Sequence, residues 1–337
     1  MIQKVKKAFL VIIVLIVFQQ ISFGQFEKYT TFYQIDSLWI GYMNNNKQDS
    51  AILVFEHAKD KFPEKDKEIT YVLGYLYALT QKDSLALSMW SYGQPKGYYF
   101  ALDRYIYNEK LKSSEKYIAL AERDKQIGDS LNNLSHIEYD IALPENYSKD
   151  KFYPLLFVFH GGGSSKKMSK DLWKSETMNK NCITVYVQSY IIGFRSNYDW
   201  VLNDEKTNKE FKDLYKGVVN EYSVDKEKIY FLGFSAGGKI AIEYAFKDFV
   251  PVSGLVLNSP DVPNITDDLV AEFVKTNKRI VIITGEKDWA INVQKELTER
   301  VNKMGGKSKI IVQGGIGHTY SADFSNILDE NLIWINE

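Results

Sequence analysis

Ile229-Tyr-Phe-Leu-Gly-Phe-Ser-Ala-Gly-Gly238 is the stretch that decides the fold of this 337-residue chain. The apolar run Ile229 to Leu232 reads as a buried strand. Ala236 to Phe246, with apolar Ile240, Ala241, Ile242 and Ala245, reads as a helix packed back onto it. Between the two lies Gly233-Phe234-Ser235-Ala236-Gly237. A G-x-S-x-G sequence set between strand and helix makes a turn so tight that its flanking positions must be small, and it pushes the serine hydroxyl out at the edge of the sheet. Ser235 is therefore the candidate nucleophile.

Outward from this stretch the same grammar repeats. Upstream, Ile137, Tyr139, Ile141 and Leu143 alternate as in a half-buried strand, and Pro144 to Tyr147 is a turn. Tyr153 to Phe159 is a continuous apolar strand running into His160-Gly161-Gly162-Gly163, and Ile183 to Val187 is the next. A loop from Ser189 to Asn203 and a helix from about Lys206 to Glu221 follow. Downstream, Gly254 to Leu257, Arg279 to Thr284 and Lys309 to Val312 read as strands, with helices over Val293 to Met304 and from about Phe324. Continuous apolar strands alternating with helices imply an α/β domain, a mostly parallel central sheet with helices on both faces. Ligands in such sheets gather at the carboxyl ends of the strands. No long insertion separates the strands near 257 and 280, which implies an open site.

A serine hydroxyl needs a base to take its proton and a third group to orient that base. The chain has four histidines. His57 falls in a helical segment, His136 opens the first strand, and His160 begins the glycine run and shapes that loop. His318, in Gly314-Gly315-Ile316-Gly317-His318, follows the last strand and is the candidate base. Asp288, on the loop after Arg279 to Thr284, is the candidate acid that holds the imidazole in its useful tautomer. Asp261 and Glu286 compete for that role. The developing oxyanion needs backbone N–H donors. His160 to Gly163 resembles an HGGG-type oxyanion loop, with Gly161 and Gly162 the candidate donors beside Ala236. The aromatic loop Tyr190 to Trp200 is either a substrate surface or core packing, so Tyr198 and Trp200 are candidate substrate contacts, as is Trp289 beside the acid.

The order Ser235, Asp288, His318, the serine turn and the glycine loop together resemble the α/β-hydrolase superfamily. Ile141-Ala-Leu-Pro-Glu-Asn-Tyr147 and Tyr153-Pro-Leu-Leu-Phe-Val-Phe-His-Gly-Gly-Gly163 are similar to carboxylesterase/phospholipase and feruloyl-esterase or polyhydroxyalkanoate-depolymerase-like enzymes. The resemblance covers residues 136 to 337. It implies a Ser-His-Asp enzyme acting on an ester or related acyl bond, an acyl-enzyme intermediate and no metal; no cofactor is expected, and the aromatic loop adds the expectation of a small-molecule or carbohydrate-linked ester substrate. A serine peptidase of the same fold is the rival enzyme, and an inactive helical interaction protein is the rival from another class.

Residues 25 to 130 have a different character, with aromatics at helical spacing and an internal repeat. Leu38, Tyr42, Ala51 and Phe55 are matched 35 positions later by Leu73, Tyr77, Ala86 and Trp90, with Gly74 added and the last two positions of the first copy, Ala58 and Pro63, lost. This is similar to the tetratricopeptide (TPR) pattern, in which small residues let two helices approach and aromatics fill the gap. The expectation is a small all-α TPR-like domain, serving either as a docking surface for a protein partner or as a cap on the catalytic domain 131 to 337. Lys125 to Asn133 is polar and reads as the boundary.

Residues 1 to 24 carry Lys4, Lys6 and Lys7 before the apolar run Ala8 to Phe18 and the small residues Ser22 and Gly24, the layout of a secretory signal peptide. Eleven apolar residues are too few to span roughly 30 Å of hydrocarbon. The expectation is an exported protein, periplasmic or extracellular, without a stable membrane span after cleavage. A formal charge of −1 and the lack of a basic stripe argue against nucleic acid. The single cysteine, Cys182, opens an apolar alternation and reads as a core residue, so the exported chain is held by its hydrophobic core rather than by an internal disulfide.

Overall fold

The computed structural model describes residues 29–45, 47–104, 108–193, 195 and 197–336. The expected signal peptide lies outside the described residues. The chain divides into two compact units, 1–129 and 130–337.

The first unit is helical. Helices α1 (Phe32–Asn44), α2 (Gln48–Lys61), α3 (Asp66–Leu79) and α4 (Asp83–Gly93) follow one another, then the short α5 (Glu109–Lys112) and the long α6 (Glu115–Leu134). Thr31 opens α1 with a capping box, its side chain accepting from the Gln34 N–H while the Gln34 side chain accepts from Thr31. Helices α3 and α4 approach closely at Gly74. A Cβ there would lie 2.6 Å from Trp90 Nε1, so only glycine leaves room for the fully buried indole. The polar stretch Lys125 to Asn133, read from sequence as the boundary, is helical. It continues α6, and the division between units falls inside that helix.

The second unit is built on a seven-stranded sheet of order β1-β3-β2-β6-β7-β8-β9. Its strands are β1 (Glu138–Ala142), β2 (Tyr153–Phe159), β3 (Ile183–Gln188), β6 (Val224–Phe234), β7 (Gly254–Asn258), β8 (Arg279–Gly285) and β9 (Lys307–Gln313). Only β1 runs antiparallel to its neighbour; the remaining pairs are parallel. A separate two-stranded hairpin, β4 (Ile191–Ile192) with β5 (Tyr198–Asp199), occupies what the sequence reads as loop. The helices of this unit are α7 (Lys166–Leu172), α8 (Glu176–Asn181), α9 (Glu205–Glu221), α10 (Ala236–Phe246), α11 (Asp267–Lys275), α12 (Ile291–Lys303) and α13 (Phe324–Asn336).

Strand alternation divides the core between the two faces. Leu155, Phe157 and Phe159 of β2 with Ile229 and Phe231 of β6 join one apolar cluster that includes Phe211 of α9, Ile240 of α10 and Leu297 of α12. Leu156, Val158, Tyr230 and Leu232 join the other, with Trp173, Met178 and the α13 residues Phe324, Leu328 and Leu332. Each fully buried large side chain contributes roughly 1.5–3 kcal/mol. Both faces are therefore dry, and the polar chemistry is left to the strand ends. Cys182 is buried, and burial pushes its thiol up to about 12.

Candidate active site

Ser235 sits between the end of β6 and the start of α10 with φ 51° and ψ −118°, a backbone conformation that an L-residue holds only when its surroundings impose it. Three hydrogen bonds do so. The Ser235 N–H donates to the Asn258 carbonyl at 3.3 Å, and the Ser235 carbonyl accepts from Asp261 and Lys239 N–H at 3.1 and 3.0 Å. The glycines on either side are sterically required. A Cβ on Gly233 would lie 2.6 Å from the Gly237 backbone, and one on Gly237 would lie 2.3 Å from the Phe159 carbonyl oxygen.

His318 Nε2 lies 2.9 Å from Ser235 Oγ, and His318 Nδ1 lies 3.1 Å from each carboxylate oxygen of Asp288. The acid is almost wholly buried while the imidazole keeps an open edge. The loops carrying the two residues are stitched together. Glu286 N–H donates to the Gln313 carbonyl, Lys287 N–H to the Ile316 carbonyl, and the Glu286 carboxylate accepts from Gly315 N–H, at 2.8, 2.8 and 2.9 Å. Gly285 permits this approach, since its Cβ would sit 2.2 Å from the Ile316 carbonyl oxygen.

Burial alone would raise the Asp288 pKa. The Ser259 hydroxyl, the Ala290 N–H at 2.8 Å and His318 outweigh it and hold the carboxyl below its ordinary value. The Thr284 hydroxyl donates to the same carboxylate at 3.2 Å. Asp288 is thus an ionised acceptor for the Nδ1 proton, which leaves Nε2 as an acceptor facing the serine. The two sequence competitors have other partners: Asp261 pairs with Lys239 at 2.7 Å, and Glu286 holds Gly315.

The glycine loop lies beside the serine turn. A Cβ on Gly162 would be 3.5 Å from that of Ala236 and 2.9 Å from Asp199 Oδ1, and one on Gly161 would be 2.7 Å from the Phe234 ring. The loop is anchored from outside. Asp199 Oδ1 accepts the Gly163 N–H at 2.8 Å, which removes Gly163 as an oxyanion donor. His160 is fully buried. Its Nδ1 donates to the Gly161 carbonyl at 2.7 Å and its Nε2 accepts from Ser189 N–H at 3.2 Å, a tautomer fixed by its partners. Burial brings its pKa down to about 4, so the ring is neutral at physiological pH.

The aromatic candidates separate. Of the two readings the sequence left open for the aromatic loop, Trp200 falls on the packing side. It is 9% exposed, its indole N–H donates to the His160 carbonyl at 2.8 Å, and its ring lies 4.9 Å from that of His160. It braces the glycine loop from the core side. Tyr198 is half-buried and engages through its main chain, exchanging hydrogen bonds with Ser164 at 2.9 and 3.3 Å. Trp289 is 67% exposed, and its ring lies 5.1 Å from that of His318. Phe234 flanks the same imidazole at 5.1 Å. Sequence reading assigned no role to Phe234 or Asp199. The first occupies the variable position of the serine turn, and the second is visible only as an acid in an aromatic hairpin. A cavity of about 490 Å³ elsewhere, lined by Pro154, Leu156, Cys182, Tyr230 and Leu332, contains none of these residues.

A mostly parallel sheet flanked by helices, with a strained serine at the end of a central strand, defines an α/β-hydrolase fold. Residues 196–331 match the model of the Dienelactone hydrolase family. Solved structures similar to this chain include an uncharacterized protein from Bacillus cereus ATCC 10987, at 18% identity, 90% of this chain, 98% of that chain and a TM-score of 0.49. The Bacillus cereus carboxylesterase is similar at 16% identity over 62% of this chain and 98% of that one, with a TM-score of 0.47. The S-formylglutathione hydrolase FrmB from Staphylococcus aureus is similar at 14% over 60% and 100%, with a TM-score of 0.45. A search of curated proteins finds no match.

Proposed function

We propose that the chain is an exported serine esterase that cleaves carboxylic esters through an acyl-enzyme intermediate. The observation that carries the reading is the continuous hydrogen-bonded line Ser235–His318–Asp288, with the serine held at positive φ. The match to a hydrolase family supports action on esters. In this mechanism His318 Nε2 takes the Ser235 proton as Oγ attacks the ester carbonyl. Asp288 stabilises the imidazolium, and the N–H groups of Gly162 and Ala236 receive the oxyanion. Collapse of the tetrahedral intermediate gives the acyl-enzyme as His318 returns its proton to the departing alcohol. Water activated by the same imidazole then releases the acid.

Short-chain p-nitrophenyl esters test the activity. The wild type should turn them over and Ser235→Ala should not; equal turnover by both would remove Ser235 from the mechanism. Faster cleavage of peptide amides than of esters would favour the peptidase reading. Export rests on the pattern of residues 1–24. N-terminal sequencing of secreted protein should begin near residue 25, and a chain retaining Lys4 would overturn it. A TPR-like role for the helical unit is supported by the close approach at Gly74. Pull-down with and without residues 25–130 tests docking, and identical partner lists would exclude it.

A further inference from the structure

Trp289 is the exposed aromatic that the chemistry itself leaves without a task. Its neighbours on the same loop are accounted for: Asp288 orients the base and Ala290 N–H holds Asp288. Its indole nevertheless lies across His318 at 5.1 Å and 35°, while Phe234 covers the imidazole at 5.1 Å and 42°. Phe234 is half-buried whereas Trp289 is 67% exposed, so of the two rings against the base the indole is the one more open to solvent.

The proton inventory fixes which part of an ester comes here. His318 Nε2 must give its proton to the departing alcohol oxygen, so that oxygen sits about 3 Å from Nε2 in the productive complex. A flat group one or two bonds beyond that oxygen is then the part of the ester that can meet the indole, whereas the acyl chain leaves on the other side of the carbonyl carbon. We propose that Trp289 is a leaving-group shelf that makes the enzyme prefer esters of aromatic alcohols. This deepens the esterase reading and rests on it.

Benzyl acetate and cyclohexylmethyl acetate share an acyl group and present alcohols of similar size and acidity, so only the planarity and π-face of the ring differ. The readout is the ratio of their kcat/KM values, which a misfolded fraction of enzyme leaves unchanged. Aromatic pairing beyond simple burial corresponds to about a two- to tenfold preference. The wild type should favour the benzyl ester by that factor. Trp289→Ala should bring the ratio close to one, chiefly through KM, and Trp289→Phe should keep it within about twofold of wild type. An Ala variant that slows both esters equally, or changes neither, would overturn the shelf while leaving the esterase intact. A wild type that turns over neither ester and takes up no fluorophosphonate would overturn the esterase reading, and the shelf with it.

Discussion

Asp288→Asn isolates the contribution of the buried acid. In the wild type both carboxylate oxygens lie 3.1 Å from His318 Nδ1. One also accepts from Ala290 N–H and the other from the Thr284 hydroxyl. An asparagine keeps the shape but offers a single acceptor oxygen, and the Ala290 N–H competes for it. Its NH2 group then faces Nδ1, which must become the acceptor, so the ring proton moves to Nε2 and points at Ser235. The base is thereby disabled. The charge is lost as well: an imidazolium and a carboxylate about 3 Å apart attract by roughly 5 kcal/mol at an effective dielectric constant of about 20. That corresponds to a loss of nearly 10⁴ in kcat, the scale at which a wrong tautomer disables a Ser-His-Asp system. The assay is kcat on p-nitrophenyl acetate, with circular dichroism to verify the fold. Asp261→Asn serves as the control and should stay within a few-fold of wild type, because Asp261 is paired with Lys239. Asp288→Asn activity within tenfold of wild type would refute the reasoning, and a collapse in Asp261→Asn instead would move the acid there.

Gly162→Ala places a Cβ 2.9 Å from the Asp199 carboxylate and displaces the loop; kcat on short esters should fall about 10²-fold with KM little changed, and an unchanged kcat would exclude Gly162 as a donor. His160 protonates near 6.5 when unfolded and at about 4 when folded. The unfolded chain therefore binds more protons between those values, and this contribution to stability is lost as pH falls through them. The loss from this group should reach about 2 kcal/mol on going from pH 7 to pH 5, seen as a lower urea midpoint, and His160→Gln should flatten the slope. Gly74→Ala overpacks the buried Trp90 and should destabilise the helical unit by about 1–3 kcal/mol in thermal melts.

The strands were legible because β2, β7, β8 and the Ile229 to Gly233 half of β6 are buried on both faces and read as nearly unbroken apolar runs, whereas the charged first half of β6, Asp225 to Lys228, gave no such signal. The serine turn was legible because two glycines are demanded by backbone contacts under 3 Å. Their spacing is therefore a steric fact written into the sequence. Helices α7 and α8 were missed because each has at most seven residues, too few for periodicity. Their signals were the caps, since Ser165 and Ser175 each accept from the N–H three residues on. The hairpin β4–β5 was missed because two-residue strands carry no alternation. The role of Trp200 was hidden for another reason: an aromatic that braces a loop and one that meets substrate have the same sequence signature, and only the indole hydrogen bond to His160 distinguishes them. Asp288 could be preferred from sequence because its loop follows the penultimate strand, whereas the pairing of Asp261 with Lys239 and of Glu286 with Gly315 is visible only in three dimensions.

The central claim is that Ser235 becomes covalently acylated. Intact-protein mass spectrometry after treatment with a fluorophosphonate, followed by peptide mapping, tests it most directly. The expected result is a single adduct on the peptide bearing Ser235, absent from Ser235→Ala and much slower to form in Asp288→Asn. Folded wild type that forms no adduct, or that carries it on a different residue, would contradict the account.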